Sequence, residues 1–143
     1  PQRQAYRLTE LKRFSDFLGQ PIVLQPKYFP VNADDAAKLI IAVDMHDGSD
    51  AAMRIAGRIL RGVWVDERNI ADARDLAKML EEEGMPSRRL DDSMSQAVHV
   101  RYEQGTQRAI DAGVFGAPSY VIDGEIFWGQ DRLDFVQRRL ARG

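Results

Sequence analysis

The residues with the clearest binding chemistry lie near the end of the chain, directly after a predicted β-hairpin. Gln130 and Asp131 follow Gly129 and open a segment with apolar residues at helical spacing. The free N–H groups at the start of a helix favour an anion, and a carboxylate such as that of Asp131 can accept a hydrogen bond from an ammonium group. An ordinary first helical turn uses the same residue types, so spacing alone leaves ligand binding and helix capping both open.

A second informative pair, Ala117 and Pro118, stands just before the same hairpin. Pro118 has no N–H and occupies the mouth of a predicted strand, where that lack does least harm. A cis Ala117–Pro118 bond is one option there, although only a minority of X-Pro bonds are cis. A proline that merely starts a strand explains the same residues.

Composition excludes several functional classes. The 143 residues contain no cysteine, so they hold no disulfide, thiolate metal site or cysteine nucleophile, and two distant histidines do not predict a metal site. The formal net charge is -2 with both signs interspersed, which argues against nucleic acid and membrane surfaces as partners. Apolar runs are too short to cross a bilayer and no signal-peptide pattern opens the chain, so a cytoplasmic protein is expected.

Helical patterns precede the hairpin and account for most of the chain. The predicted helices are Tyr6 to Leu18, a helix capped by Asn32 and running to about Met45, Ser49 or Asp50 to Trp64, a helix capped by Asn69 and stopped by Gly84, a short segment around Arg88 to Leu90, and Met94 to Gly113. The predicted strands are Ser119 to Ile122 and Glu125 to Trp128, joined by Asp123-Gly124, with Ile22 to Leu24 as a further candidate. Because a lone hairpin is marginal in water, this order indicates a sheet with further strands.

The hairpin region also carries a family resemblance. Phe115-Gly116-Ala117-Pro118-Ser119, then Asp123-Gly124, then Phe127-Trp128-Gly129-Gln130-Asp131-Arg132 resembles the C-terminal signature of 2-hydroxychromene-2-carboxylate isomerases. These enzymes are relatives of kappa-class glutathione transferases and, more distantly, of DsbA-like thiol oxidoreductases. The Gly-x-Pro-Ser half is common among thioredoxin-like folds, whereas Trp-Gly-Gln-Asp-Arg narrows the resemblance to this branch.

The resemblance implies an α/β fold, a thioredoxin-like (DsbA-like) domain with an all-helical insertion. In this chain it implies a mostly helical structure with a C-terminal β-hairpin and helix. Residues 1–31 and 114–143 would belong to the thioredoxin-like domain, and residues 32–113 would form the helical insertion. The first βαβ unit of the family pattern, roughly fifty residues, is not in this sequence and is expected upstream of Pro1.

Glutathione is the cofactor that the resemblance implies. The backbone of Ala117 would pair with its cysteinyl backbone as an added strand, and Asp131 would accept from its γ-glutamyl ammonium. The residues at glutathione positions are Ala117, Pro118, Trp128, Gly129, Gln130 and Asp131. No metal site and no catalytic residue of this chain are implied.

Two further groups of side chains match family positions on the N-terminal side. Arg3 stands where a kappa-class lysine contacts the glycine end of glutathione, and an arginine keeps that charge; a solvated terminal arginine explains it equally well. Tyr28, Phe29 and Asn32 match a loop on the substrate side, where they would line a pocket for a small aromatic carboxylate. Loop packing and a helix cap are the alternative roles. Trp64 would face the same pocket or the core, and Arg68, Arg74, Arg88 and Arg89 are expected to be exposed.

The implied activity is the glutathione-dependent interconversion of 2-hydroxychromene-2-carboxylate and trans-o-hydroxybenzylidenepyruvate in aromatic degradation. In the family a serine upstream of the matched region stabilises the thiolate, so this chain is expected to catalyse nothing unless that segment is supplied. A DsbA-like thiol-disulfide oxidoreductase and a non-catalytic helical interaction domain are the alternatives. Family members are often dimers, so a homodimer is also expected.

Overall fold

The computed structural model describes residues 2–142, whose contacts divide them into two compact units, one up to His99 and one from Val100. The helices of the first unit are α1 (Gln2–Leu18), α2 (Asp34–Asp47), α3 (Ser49–Trp64), α4 (Ala73–Glu82) and α5 (Arg89–Ser93). Helix α6 (Gln96–Asp111) begins in the first unit and ends in the second. Strands β1 (Ser119–Ile122) and β2 (Glu125–Trp128) follow, then a 3-10 turn (Gln130–Arg132) and α7 (Leu133–Leu140).

The core of the first unit forms where α2 and α3 pack on each other. Leu39 and Val43 on α2 and Ile55 on α3 are fully buried, because both helices repeat apolar residues every three or four positions. Leu76, Met79 and Leu80 of α4 complete this cluster. The two predicted apolar faces are confirmed.

One helix start was predicted at the wrong residue. Asn69 was expected to cap the fourth helix, but that helix begins after Asp72, whose side chain accepts a hydrogen bond from the backbone N–H of Arg74. Asn69 instead accepts from the backbone N–H of Ala71 in the preceding turn. Asn and Asp are both good capping residues, so residue type alone does not distinguish Asn69 from Asp72.

Arg89 was expected to be an exposed charge, and this prediction is wrong. Its side chain is 5% exposed and donates to both carboxylate oxygens of Asp47 at 2.6 Å and to Asp92 at 2.6 Å. The hydrogen bonds from Arg89 lower the pKa of Asp47 below its ordinary value. This ion pair fixes α5 against the end of α2.

A second network joins α3 to α4. Arg58 donates to Glu82 at 2.6 Å and to Asp66 at 2.7 Å, and Arg68 donates to the other oxygen of Glu82 at 2.6 Å. Arg68 is therefore also not the freely exposed charge that was expected. The two arginines, Arg68 first, lower the pKa of Glu82.

Residues 19–33 form an irregular segment between α1 and α2. The candidate strand Ile22 to Leu24 is absent, and the backbone N–H of Val23 instead donates to Trp64 O at 2.7 Å. Asn32 is not the cap itself: the cap position of α2 is Ala33, and Asn32 accepts from the backbone N–H of Asp34 at 2.7 Å. Asn32 thus shapes the turn that leads into the helix.

The second unit is built on the predicted hairpin, which is confirmed residue for residue. Ser119 pairs with Trp128 and Ile122 with Glu125, in an antiparallel register closed by Asp123 and Gly124, both at positive φ. Arg139 of α7 forms an ion pair with Asp123. None of residues 100–142 is fully buried.

Residues 2–142 contain neither a membrane-spanning helix nor a cluster of metal-binding side chains. No described helix has the length and apolar character needed to span a membrane. Within the same residues no three acidic or histidine side chains come close enough together to hold a metal ion.

Candidate functional site

A small cleft in the second unit, the Pro118 cleft, brings together residues from both ends of the hairpin. Its volume is about 290 Å³. The residues that line it are Ala117, Pro118, Trp128, Gly129, Gln130, Asp131 and Arg132. All six residues that the sequence placed at glutathione positions in this region line this one cleft, and Arg132 joins them.

The floor of the Pro118 cleft is backbone. The Ala117–Pro118 peptide bond is cis, and the backbone N–H of Gly129 donates to the carbonyl oxygen of Pro118 at 2.9 Å. Ala117 is exposed, and its backbone N–H and C=O make no hydrogen bond within residues 2–142. An extended peptide could therefore pair with Ala117, since both groups still need partners.

Trp128 forms one wall of the cleft and is held by close packing. Its ring meets that of Phe115 edge-on with centroids 5.1 Å apart, and 52% of the residue remains exposed. A methyl group added at Gly116 would lie 2.6 Å from Trp128 Nε1. Only a glycine at 116 leaves room for the indole in this position.

The polar residues of the cleft are a carboxylate and a neighbouring guanidinium group. Asp131 Oδ2 lies 2.7 Å from Arg132 Nη1, and about half of each side chain is exposed. Gly129 adopts φ +111° and ψ +148°, a conformation that side chains rarely allow. A methyl group at Gly129 would lie 2.5 Å from Asp131 Oδ1, so this glycine makes the space for the carboxylate.

The start of the last helix differs from the expectation that Gln130 opens it. Gln130 to Arg132 form a 3-10 turn, and α7 begins at Leu133. Asp131 therefore belongs to a 3-10 turn rather than to the first turn of an α-helix. Its position depends on Gly129.

Arg3 lies in the other unit, on the exposed first turn of α1. It borders an open concave surface together with Gln2, Gln4, Tyr6 and Arg7. Its contact with glutathione stays a prediction, since the Pro118 cleft belongs to the second unit.

A second cavity, the Phe29 cleft, lies within the first unit and measures about 380 Å³. The residues that line it are Gln4, Arg7, Leu8, Leu11, Leu24, Gln25, Pro26, Phe29 and Trp64. The rings of Phe29 and Trp64 meet at a centroid distance of 4.6 Å and an angle of 46°.

Only one of the three predicted substrate residues lines this cleft, and that residue is Phe29. The Tyr28 ring lies under Lys27 Nζ, 5.0 Å from the ring centroid, and Asn32 is occupied by the turn before α2. The sequence analysis missed Arg7 and Gln4. Arg7 follows Arg3 by four residues and Gln4 by three, and this helical spacing was the available signal, because residues three or four apart share a face.

Comparison with known proteins shows which family the chain belongs to. The family model described as a DSBA-like thioredoxin domain matches residues 1–141. A 2-hydroxychromene-2-carboxylate isomerase of Sphingobium xenophagum is 34% identical over 95 residues, which cover 66% of this chain and 47% of the relative. The enzyme of the same name from Pseudomonas putida is 26% identical over 139 residues, covering 96% of this chain and 65% of the relative. The chain thus spans about half to two thirds of these curated relatives.

Solved structures agree on the fold. A structure of 2-hydroxychromene-2-carboxylate isomerase superposes with a TM-score of 0.78 at 24% identity, covering 96% of this chain and 66% of that one. The cytosolic disulfide reductase DsbM from Pseudomonas aeruginosa, solved with GSH, superposes with a TM-score of 0.67 at 20% identity, covering 90% and 72%. The predicted DsbA-like thioredoxin fold, mostly helical with a C-terminal hairpin and helix, is confirmed.

Proposed function

Because the chain belongs to the DSBA-like thioredoxin domain family, we propose that it is part of a glutathione-dependent isomerase. The reaction would interconvert 2-hydroxychromene-2-carboxylate and trans-o-hydroxybenzylidenepyruvate, since the curated relatives carry that isomerase name. One observation carries the cofactor proposal. Six residues predicted at glutathione positions line a single cleft whose floor is the unpaired backbone of Ala117.

The chemistry of the Pro118 cleft fits the tripeptide. An extended cysteinyl backbone needs one donor and one acceptor, and Ala117 offers both beside the hairpin. The γ-glutamyl group carries an ammonium and a carboxylate on one carbon, and Asp131 with Arg132 presents the complementary charges 2.7 Å apart. Trp128 lines the same cleft and offers an apolar surface to the peptide.

Glutathione, when bound, would supply a thiol able to add reversibly to the unsaturated carbon of the ring-opened substrate and so allow rotation about that bond. The residues of the Pro118 cleft would bind and orient the cofactor. We assign none of them to proton transfer or to stabilising the thiolate. Their contribution is therefore expected in the affinity for glutathione.

The first test is the isomerisation itself, measured by absorbance on the full-length protein with and without glutathione. We expect interconversion only when glutathione is present. Turnover of equal rate without any thiol would contradict the cofactor proposal. Reduction of a disulfide substrate in the absence of isomerisation would favour the thiol-disulfide oxidoreductase alternative.

The second test separates the γ-glutamyl contact from the rest of the ligand. Asp131→Asn should weaken glutathione by about two- to fivefold, because the carboxylate is half exposed and such pairs contribute at most about 1 kcal/mol. The dipeptide Cys-Gly lacks the γ-glutamyl group, so its affinity should not change. Equal losses for both ligands, or none for either, would contradict the assigned role of Asp131.

A further inference from the structure

The Phe29 cleft combines aromatic walls with an arginine at its edge. We propose that Arg7 binds the carboxylate of an aromatic acid whose ring lies against Phe29 and Trp64. The inference rests on the proposed function, since it assigns a residue to the acid group of that substrate class. Arg7 was not among the residues that the sequence placed near a substrate.

The walls of the cleft suit a flat aromatic ring. Phe29 remains 46% exposed although it packs against Trp64, so one face of the ring pair is free for a third ring. Leu8 and Leu11 of α1 add apolar side chains to the lining. The volume of about 380 Å³ falls in the range of small-molecule pockets, typically about 300 to 1,000 Å³.

The segment that carries Phe29 is held by two hydrogen bonds to residues at and just after the end of α3. The backbone N–H of Val23 donates to Trp64 O at 2.7 Å, and the backbone N–H of Lys27 donates to Glu67 Oε1 at 3.0 Å. Pro26, between them, is buried. A wall held in this way costs little ordering on binding, which favours affinity for a rigid ligand.

The charge of Arg7 has no partner within residues 2–142. The acid three residues later on α1, Glu10, is already paired with Arg13 at 2.7 Å. Arg3 lies one turn before Arg7 on the same face, and the first turn of α1 contains no acidic residue. Arg3 and Arg7 therefore repel each other, and a bound carboxylate would relieve that repulsion.

Two amide side chains add neutral hydrogen-bonding capacity to the cleft. Gln4 precedes Arg7 by three residues on α1, and Gln25 lies on the opposite segment. Amides donate and accept, so they suit a hydroxyl or keto oxygen but add no charge. Arg7 is therefore the residue that would distinguish an acid from a neutral ligand of the same shape.

The test uses trans-cinnamate and its neutral analogue trans-cinnamamide as probes. The chain has two tryptophans, Trp64 in the first unit and Trp128 in the Pro118 cleft, and their indole N–H signals in an NMR spectrum distinguish binding in the first unit from binding in the second. Because Trp64 also lines a neighbouring cavity, the Arg7 substitutions assign its shift to the Phe29 cleft. We expect cinnamate to shift the Trp64 signal. Arg7→Gln should weaken cinnamate about tenfold and leave cinnamamide unchanged, while Arg7→Lys should lie between.

Lys12→Gln is the matched control, since it removes an exposed cation from the same helix outside the cleft and leaves the pair of Glu10 with Arg13 intact. Cinnamate affinity should be the same in Lys12→Gln and in the unmodified chain. Equal weakening of acid and amide by Arg7→Gln, equal effects of the Arg7→Gln and Lys12→Gln substitutions, or no shift of Trp64 would overturn the assignment.

Glutathione provides the independent readout. Its binding should shift the Trp128 signal equally with Arg7 or Gln at position 7. If glutathione shifts nothing while cinnamate binding depends on Arg7, the cofactor proposal fails and the acid site stands. If glutathione binds and the acid does not, the acid site fails alone.

Discussion

Replacing Gly129 by alanine tests how the Pro118 cleft is built, because two consequences of that change can be measured separately. The backbone there has φ +111°, so an alanine is strained in any surroundings. Its methyl group would also lie 2.5 Å from Asp131 Oδ1, so the carboxylate must move. Gly124→Ala is the control, since Gly124 has φ +81° and nothing within 4 Å of the added methyl group.

The two substitutions should cost similar stability but differ in binding. Strain at positive φ lowers the free energy of unfolding by about 1 kcal/mol at Gly124 and about 2 kcal/mol at Gly129, whose region is nearly restricted to glycine. Displacing the Asp131 carboxylate removes the same contact as Asp131→Asn. We therefore expect about two- to fivefold weaker glutathione binding for Gly129→Ala and no change for Gly124→Ala.

Stability can be followed by urea unfolding with Trp128 fluorescence as the signal, in a Trp64→Phe background. Affinity is measured by titrating glutathione under native conditions, where each variant is mostly folded. Adding Asp131→Asn to Gly129→Ala should cause no further loss, since both act on one contact. Unchanged glutathione affinity in Gly129→Ala would refute the view that this glycine makes room for a ligand-binding carboxylate.

Two further predictions concern the first unit. Asp47→Asn should lower the free energy of unfolding by about 2 kcal/mol at pH 7, because the buried Arg89 loses its charged partner at position 47 and one of the two hydrogen bonds made there. Arg89 holds the folded-state pKa of Asp47 low, so this stabilisation is present above about pH 4 and is lost as the pH falls further. The stability difference between Asp47→Asn and the unmodified chain should therefore shrink in urea titrations at pH 2 to 3. An unchanged difference would contradict this role of the ion pair. Leu39→Ala should cost about 3 kcal/mol, since Leu39 is fully buried between α2 and α3, and a loss below about 1 kcal/mol would contradict the placement of the core there.

Local sequence signals predicted the elements well where one strong rule acts alone. Asp123-Gly124 between two apolar runs fixed the hairpin and its register, because that turn accepts few other residues. The α2 and α3 faces followed from apolar spacing. The prediction that Asn69 caps α4 was wrong because Asp72, three positions later, is an equally good capping residue. Packing of the helix, and not residue type, determines which of the two is used.

Contacts between distant residues were beyond local rules. Arg89 looks like any charged residue in its own segment, and its burial depends on Asp47, which lies 42 positions away. The Phe29 cleft likewise joins α1, an irregular segment and the end of α3. The division into residues 1–31 with 114–143 and residues 32–113 stays a prediction, as do the homodimer and the role of Arg3.

The two clefts differ in how many segments of the chain line them, and this difference explains which of their residues could be predicted from the sequence. The Pro118 cleft is formed by residues adjacent in the chain, so a short motif determines its backbone, its tryptophan wall and its acid. Its proposed ligand is a peptide, and the backbone hydrogen bonds that a peptide needs are the same whatever its side chains. The proposed ligand of the Phe29 cleft is one particular acid, and the lining of this cleft comes from three segments of the chain. A family can therefore keep the first cleft while the second changes with substrate, so exchanging Arg7 should alter acid preference without changing glutathione affinity.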